Sequence, residues 1–428
     1  MLWRRACASA FARNAAILAS GTAVGHALTA LAAPVLSRIY DPAQFGLLAL
    51  FTAAVSILTD AASWRYGLAV VLPPGDEDAA NLFALACWVV AGTALATLIA
   101  VSLGGRWVAG VLGSPALATY LWWVPAALLA TGLAENFSYW ATRTKEFPRI
   151  SAAQVTRAGG TALVQVAAGL LRGGTGGLIG GRVAGEGVGL LTLAGQICKR
   201  DGARIRRALS RRRMRHLARE YADFPKFGLP QALVNAVSQS VPVFLLAYFF
   251  DATIVGLYAM AHRLLQLPAR FIGQSVRQVF LQRASEAHAA GGDLSALAAR
   301  TTAGLAAMGL VPALVIVFLG PQLFELFLGA EWTTTGVYAR WMILWLFFAF
   351  INPPATVLTQ VLRKQRFLLV FDIAQLIGRT ALVVLAGLHS SALTAVALFS
   401  VAGALFNAFL VVTMLLYSRK APPAARPA

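Results

Sequence analysis

The residues of this chain best able to do chemistry are charged side chains within long apolar segments. Such segments are typical of membrane helices, and a charge facing lipid near mid-bilayer costs at least about 2.5–3.5 kcal/mol. These arginines should therefore face an internal polar cavity, where a guanidinium binds phosphates and carboxylates through charge-assisted hydrogen bonds. The sequence predicts an anion-binding cavity lined by Arg65, Arg157, Arg182, Arg263, Arg270, Arg340 and Arg379.

Five titratable side chains share the apolar segments and are candidates for carrying a coupling proton or cation: Asp60, Glu135, Glu186, Asp372 and His26. Because arginines outnumber the acids, the interior is expected to be net positive. Simpler roles stay open. Arg182 and Glu186 are four residues apart and also fit a plain helical ion pair. Arg65 and Arg340 lie near segment ends, from which a long side chain can reach the headgroups.

Catalytic and metal-binding motifs are not found. The string RGGTGG at 172–177 has no following Gly-Lys-Ser/Thr and is not a phosphate-binding loop. Cys7, Cys87 and Cys198 have no metal-like spacing and predict neither zinc nor disulfides. We therefore expect a protein that is not an enzyme and needs no cofactor.

The composition indicates a membrane protein. Of 428 residues, 58% are hydrophobic and 12% are charged, whereas soluble domains carry about 25% charged residues. We expect an all-α polytopic protein. Its twelve predicted transmembrane helices lie at about 14–36, 45–71, 80–103, 118–141, 149–171, 176–198, 225–250, 254–280, 296–319, 336–361, 367–388 and 391–417.

Lys and Arg concentrate in alternate connections between these spans. They are densest at 199–219, whereas the opposite connections hold only Arg38, Arg106 and Arg172. By the positive-inside rule both termini are cytoplasmic. The basic linker then contacts anionic headgroups rather than nucleic acid. An alternative reads the N-terminal run as a cleaved signal peptide, which would leave eleven spans.

The two halves of the chain contain a weak repeat. YDPAQFGLLAL at 40–50 aligns with FDATIVGLYAM at 250–260, pairing Asp41 with Asp251 and Gly46 with Gly256. Because each half has six spans, the repeat predicts two parallel six-helix lobes related by a pseudo-twofold axis along the membrane normal. The predicted domains are an N-lobe at 1–198, a basic linker at 199–224 and a C-lobe at 225–428.

Glycines recur every four residues through the sixth predicted span, at Gly173, Gly177, Gly181, Gly185 and Gly189. A face without side chains allows a neighbouring helix to approach closely. We interpret this stripe as a helix-packing surface.

Four motifs resemble one family. PVLSRIYDPAQFG at 34–46 and WRYGLAVVLPPGDEDAANLFAL at 64–85 are similar to the bacterial polysaccharide translocases, the O-antigen (Wzx-type) flippases. So are YADFPKFGLPQALVNAVSQSVP at 221–242 and GLYAMAHRLLQLPARFIGQSVRQVF at 256–280. One position departs: the family pattern has Glu after Arg-Tyr, where this chain has Gly67. A role of that carboxylate would be lost or moved, to Asp60 or to the loop at 76–78.

The resemblance implies the multidrug/oligosaccharidyl-lipid/polysaccharide exporter fold, with two lobes forming a V in the bacterial inner membrane. It implies translocation of an undecaprenyl-diphosphate-linked oligosaccharide from the cytoplasmic to the periplasmic leaflet, near membrane lipids and other assembly proteins such as a polymerase and a chain-length regulator.

The sequence is also compatible with other functions. One is a cation-coupled multidrug antiporter of the same fold, which would want an acidic cavity. A peptidoglycan-precursor flippase would be longer by two helices. A membrane glycosyltransferase or ligase would need a large periplasmic loop, and a structural scaffold would not need so many buried charges.

Overall fold

A computed structural model describes residues 2–289, 293–362 and 364–419. Within them the protein is helical, without a strand, as the composition predicts. The helices are α1 (Leu2–Ile39), α2 (Pro42–Ala62), α3 (Tyr66–Ala69), α4 (Asp76–Val111), α5 (Ala118–Leu121), α6 (Val124–Arg143), α7 (Phe147–Leu170), α8 (Gly174–Ala208), α9 (Arg211–Glu220), α10 (Leu229–Phe249), α11 (Ala252–Ala289), α12 (Leu294–Leu328), α13 (Thr333–Ile351), α14 (Pro353–Val361), α15 (Gln365–His389) and α16 (Ala392–Arg419).

Each predicted span overlaps a long helix, and those at 45–71, 118–141 and 336–361 also run across a break between two helices. Not every helix is apolar enough to cross a membrane by length and composition alone. In the described residues seven segments are: α2, α4, Phe224–Phe249, α12, Ala330–Val361, α15 and α16. An eighth would be the pair Pro115–Leu121 and Val124–Arg143, bent by 55°. Among the predicted spans outside this set, those of α7 and α8 carry Arg157, Arg182 and Glu186. The protein is a multi-pass membrane protein; the count of twelve and the positions of the termini stay predictions.

The chain divides into two compact units, Met1–Val255 and Gly256–Ala428. In the first, α7 packs along both α1 and α8, while α6 packs against α2, α4 and α8. In the second, α13 packs against α12 and α16, and α15 against α16. The lobe bounds and the pseudo-twofold arrangement drawn from the sequence remain predictions.

The aligned aspartates of the repeat play the same local role. The Asp41 carboxylate accepts a hydrogen bond from the backbone N–H of Gln44 at 2.8 Å and caps the start of α2. The Asp251 carboxylate accepts one from the backbone N–H of Ile254 at 2.9 Å, at the start of α11. A side-chain oxygen here satisfies one of the free N–H groups of a helix N-terminus. The two copies of the repeat thus share an aspartate that caps the start of a helix.

The predicted linker is folded rather than extended. Helix α8 continues ten residues beyond the predicted span end at 198, to Ala208, and α9 follows with Leu217 buried in the core around Phe83 and Trp140. Asn81, on α4, fixes the turn between α8 and α9. It donates to the Ala208 carbonyl and accepts from the Ser210 N–H, each at 2.8 Å. Burial of Ile205 and Leu217 provides the driving force for this packing.

Candidate functional site

A cavity of about 380 Å³ lies within the first unit, between α2, α6, α7 and α8. It brings together five of the twelve site residues predicted from the sequence. Its charged and polar lining is Thr52, Ser56, Thr59, Asp60, Thr131, Glu135, Ser138, Gln154, Arg157, Arg182 and Glu186. Such concave sites with a few convergent polar groups are the usual form of a ligand-binding site.

One wall carries an ion-paired triad on α7 and α8. Glu186 Oε1 lies 2.8 Å from Nη2 of Arg182, and Oε2 lies 3.5 Å from Nη1 of Arg157. The Glu186 side chain is 3% exposed, whereas Arg182 and Arg157 are 37% and 44% exposed. The carboxylate is therefore buried behind the two guanidiniums, and both guanidiniums remain partly exposed. The ion pair anticipated for Arg182 and Glu186 is present, and Arg157 joins it from the neighbouring helix.

The opposite wall, from α2 and α6, is acidic. Asp60 and Glu135 line it and are half-buried. The Tyr139 hydroxyl donates to Glu135 Oε1 at 3.0 Å, and the hydroxyls of Thr59 and Thr131 lie 2.9 Å apart across the two helices. With Glu186 this cavity holds three carboxyl groups against two guanidiniums. The net positive interior expected from the sequence is therefore wrong for this cavity, because the acids cluster here while most of the arginines lie elsewhere.

The glycine stripe positions the triad, as the packing interpretation predicts. A methyl group on Gly177 would lie 2.8 Å from Ala168 Cβ, on Gly185 2.8 Å from the backbone nitrogen of Thr161, and on Gly189 2.9 Å from Arg157 Cβ. All three neighbours belong to α7. The close approach of α7 and α8 is what allows Arg157 to reach Glu186.

Gly185→Ala is expected to destabilise the protein by about 1–3 kcal/mol, because overpacking forces the helix backbones apart. The change should also separate Arg157 from Glu186. Gly187→Ala is the matched control: the same substitution on the same helix, with nothing within 4 Å of the added carbon, should be neutral or stabilising. Thermal unfolding of the purified variants in detergent measures the difference. Equal melting temperatures for both variants would contradict the packing role.

Other predicted site residues of the first unit lie outside this cavity lining. Arg65 adopts a left-handed backbone conformation, with φ of 64°, and is half-buried at the break between α2 and α3. A Cβ added at Gly228 would lie 3.5 Å from Cγ of Arg65, so Gly228 is a close neighbour of this arginine. His26 is half-buried on α1.

The remaining predicted residues belong to the second unit. Arg340 donates from Nη2 to the Phe318 carbonyl at 2.9 Å and so links α13 to α12. Arg263 is half-buried on α11, and Asp372 is exposed on α15. Arg270 lies outside the residues whose side chains the structure describes.

Arg379 is packed in the interior of the second unit. Its Cζ lies 3.6 Å from the ring centroid of Phe399 and 4.3 Å from that of Trp345, and its Nε donates to the Phe399 carbonyl at 3.3 Å. The residue is 9% exposed. The expectation that Arg379 lines an open cavity is wrong in this structure, because aromatic faces and a carbonyl surround the guanidinium.

At Gly67, where the resembled family has a glutamate, neighbouring side chains occupy the space that a side chain would need. A Cβ on Gly67 would collide with Oδ1 of the buried Asn136 and lie 3.1 Å from Tyr139 Cδ2. Of the two alternative positions for that carboxylate, Asp60 faces the cavity. Asp76 and Asp78 are instead held in ion pairs, among them Arg143–Asp76 at 3.0 Å and Arg213–Asp78 at 2.5 Å.

Sequence reasoning missed several polar neighbours of the charges. Gln154 lines the cavity and accepts a hydrogen bond from Thr22 of α1 at 2.6 Å. Tyr139 donates a hydrogen bond to Glu135, and its spacing of four residues from Glu135 on the same helix is the signal that indicates this contact. Within the described residues, no three His, Cys, Asp or Glu side chains group closely enough to hold a metal ion.

A family model described as "Polysaccharide biosynthesis protein" matches residues 35–336, more than half of the chain. The chain belongs to this family. The match includes every charged residue of the cavity, whereas Arg340, Asp372 and Arg379 lie beyond it. No curated protein matches the sequence.

Solved structures with similar folds are membrane transporters. A structure of the lipid II flippase MurJ in an inward closed conformation matches with a TM-score of 0.69 and 13% identity, over 94% of this chain and 87% of that one. An inward-facing multidrug resistance MATE family transporter of the MOP superfamily matches with a TM-score of 0.65 and 16% identity, over 94% and 93%. A point mutant of the Vibrio cholerae MATE transporter VcmN matches with a TM-score of 0.58 and 14% identity, over 98% and 99%.

At these identities the likeness establishes the fold alone. The chain shares the fold of these membrane transporters, one of which is described as a member of the MOP superfamily, as the motif resemblance implied. The proteins of these solved structures are a flippase and transporters.

Proposed function

We propose that the protein is a flippase that moves an undecaprenyl-diphosphate-linked oligosaccharide from the cytoplasmic to the periplasmic leaflet of the bacterial inner membrane. Three findings support the proposal: the polysaccharide biosynthesis family, the fold shared with a lipid II flippase, and the arginine pair of the cavity. Other membrane proteins of polysaccharide assembly, such as a polymerase and a chain-length regulator, would act on the product.

The observation that carries the proposal is the triad of Arg157, Arg182 and Glu186. Two guanidiniums from adjacent helices lie within ion-pair distance of one buried carboxylate and remain partly exposed. A diphosphate could exchange its hydration for charge-assisted hydrogen bonds to both. Because Glu186 already aligns the donors, little ordering entropy opposes binding. A cavity of about 380 Å³ suits part of a headgroup, while a prenyl chain stays in lipid.

Net transport needs a driving ion that binds the two facing states unequally, because a substrate with equal affinity for both shifts neither. Asp60 and Glu135 are the carboxyl groups suited to this role. They line the cavity across from the arginines, and the Tyr139 hydroxyl donates to Glu135. Glu186 is poorly placed to bind a coupling ion, since its carboxylate is buried behind Arg157 and Arg182.

A second candidate is a cation-coupled multidrug antiporter. One specific observation favours it: the cavity holds more carboxyl groups than guanidiniums, which suits a cationic substrate. The MATE transporters share the fold. The family match and the arginine pair favour the flippase.

Deletion of the gene in its host separates the two candidates. For a flippase we expect loss of long-chain surface polysaccharide, with undecaprenyl-linked oligosaccharide accumulating on the cytoplasmic face. Mass spectrometry of the accumulated lipid would give the structure of the glycan. Unchanged polysaccharide with new sensitivity to cationic drugs would refute the flippase and favour the antiporter.

A further inference from the structure

The short helix α9 carries two different sets of arginines. Arg213 is docked: its guanidinium makes two hydrogen bonds to the Asp78 carboxylate, at 2.5 and 2.8 Å, which raise the pKa of the Arg213 side chain. Leu217, one turn later on the same side, is 1% exposed. This side of the helix fixes α9 against α4.

Most acidic groups around the base of the first unit are also paired. Asp76 binds Arg143 and Arg204, and Glu146 binds Arg149 and Arg200. The one acid of α9 itself, Glu220, lies 3.4 Å from Nδ1 of His216. Of the acids around α9, Glu77 and Asp223 make no ion pair within the described residues, so most but not all of the nearby acidic side chains are already paired.

Four arginines of α9 remain exposed, and within the described residues none has an acidic side chain at ion-pair distance. We name this set the arginine face: Arg211, Arg212, Arg215 and Arg219. At 100° per residue they fall within an arc of about 100°, away from the docked side of Arg213 and Leu217. Like charges four residues apart destabilise a helix, so the repulsion among these arginines lowers the stability of α9 when no anion is bound. A diffuse anionic surface would remove that cost.

The surroundings of the arginine face indicate a bilayer surface. Only Tyr221, Ala222 and Asp223 separate α9 from the membrane-spanning segment Phe224–Phe249. Leu209, just before the helix, is 42% exposed, and Phe227, near the start of that span, is 71% exposed. A row of arginines beside an exposed apolar side chain and next to a span is the pattern of an interfacial helix. An acidic protein partner would explain the charge but not the exposed Leu209.

We propose that the arginine face of α9 is a binding surface for anionic phospholipid headgroups, separate from the transport cavity. Arginines near an anionic membrane surface are attracted to it, and the attraction weakens with ionic strength. The lipid would hold the folded segment between α8 and α10 against the leaflet.

The test is a titration of the purified full-length protein in detergent with phosphatidylglycerol or phosphatidylcholine, followed by native mass spectrometry. We expect a preference for phosphatidylglycerol that falls with added salt. The fourfold variant R211Q/R212Q/R215Q/R219Q should bind phosphatidylglycerol at least about tenfold more weakly. The fourfold Arg→Lys variant keeps the charge and should stay within about threefold of wild type.

Glutamine has nearly the helix propensity of arginine, so the helix should persist, and a protease-resistance assay of the segment checks this. Equal affinity of wild type for the two lipids would overturn the proposal. So would wild-type phosphatidylglycerol binding in the glutamine variant. Loss of binding to an acidic peptide, with phosphatidylglycerol binding retained, would instead assign the face to a protein partner. None of these readouts depends on transport.

Discussion

Arg182→Ala should slow the translocation of a short-chain prenyl-diphosphate-linked oligosaccharide by at least about tenfold. Arg182 is 37% exposed and lies 2.8 Å from Glu186, so its loss removes a donor to the diphosphate. A hydrogen bond to a charged group contributes about 1.5–3 kcal/mol, which corresponds to a factor of roughly 10 to 150. Arg157→Ala should act in the same direction. The measurement is the rate at which a fluorescent substrate becomes accessible to a quencher outside proteoliposomes.

The truncated variant also leaves Glu186 with a single partner at 3.5 Å, and a buried carboxylate without a close partner can unfold a protein. The double variant R182L/E186L removes both charges and should fold well while staying slow. Arg106→Gln, at an exposed arginine on α4 outside the cavity, is the control for a simple loss of positive charge. Wild-type rates in both Arg182→Ala and Arg157→Ala would contradict the arginine site.

Arg379→Ala should act on folding instead, lowering the stability of the protein by about 2–4 kcal/mol. The truncation empties the space between Trp345 and Phe399 and removes the hydrogen bond to the Phe399 carbonyl. Emptying a buried site of this size costs the lost contacts plus the cavity left behind. Arg379→Met fills the same space without charge. Because Arg379 Nη2 and Ser400 Oγ are buried without a hydrogen-bond partner among the described residues, the methionine variant should lie within about 1 kcal/mol of wild type.

Denaturant unfolding in detergent, followed by intrinsic fluorescence, measures both variants, and the proteoliposome assay is run beside it. A packing role predicts that Arg379→Met keeps a near-normal transport rate. If Arg379→Met folds as wild type but no longer transports, then Arg379 serves the substrate, as the sequence suggested, and the packing interpretation is wrong. Near-wild-type stability of Arg379→Ala would also contradict it.

Some features of the protein follow from local sequence. The all-helical membrane character follows from composition. The packing of α7 against α8 follows from the four-residue glycine spacing, because small residues on one helix face can only serve a close neighbour. The capping roles of Asp41 and Asp251 follow similarly, since a capping side chain bonds within three residues of itself. The anticipated pairing of Arg182 with Glu186 also lies within one helical turn.

The folding of the predicted linker does not follow from its local sequence. The charge of residues 199–224 predicts only a basic connection. Its folding depends on Ile205 and Leu217 finding the surface around Phe83 and Trp140 and on Asn81 bonding the turn. Those partners lie some 60 to 130 residues away, so no pattern inside the linker specified them.

Sequence by itself determined which residue types lie inside the apolar segments, and the membrane solvent explains why each must find a polar environment. Only the tertiary structure decided which environment each one found. Arg182 and Arg379 are alike in sequence, each an arginine well inside an apolar segment. Arg182 meets Glu186 in a polar cavity, whereas Arg379 is enclosed by aromatic rings from α13 and α16. The surroundings of a buried charge are set by neighbouring helices, and helix pairing is a long-range property that single-helix spacing does not encode.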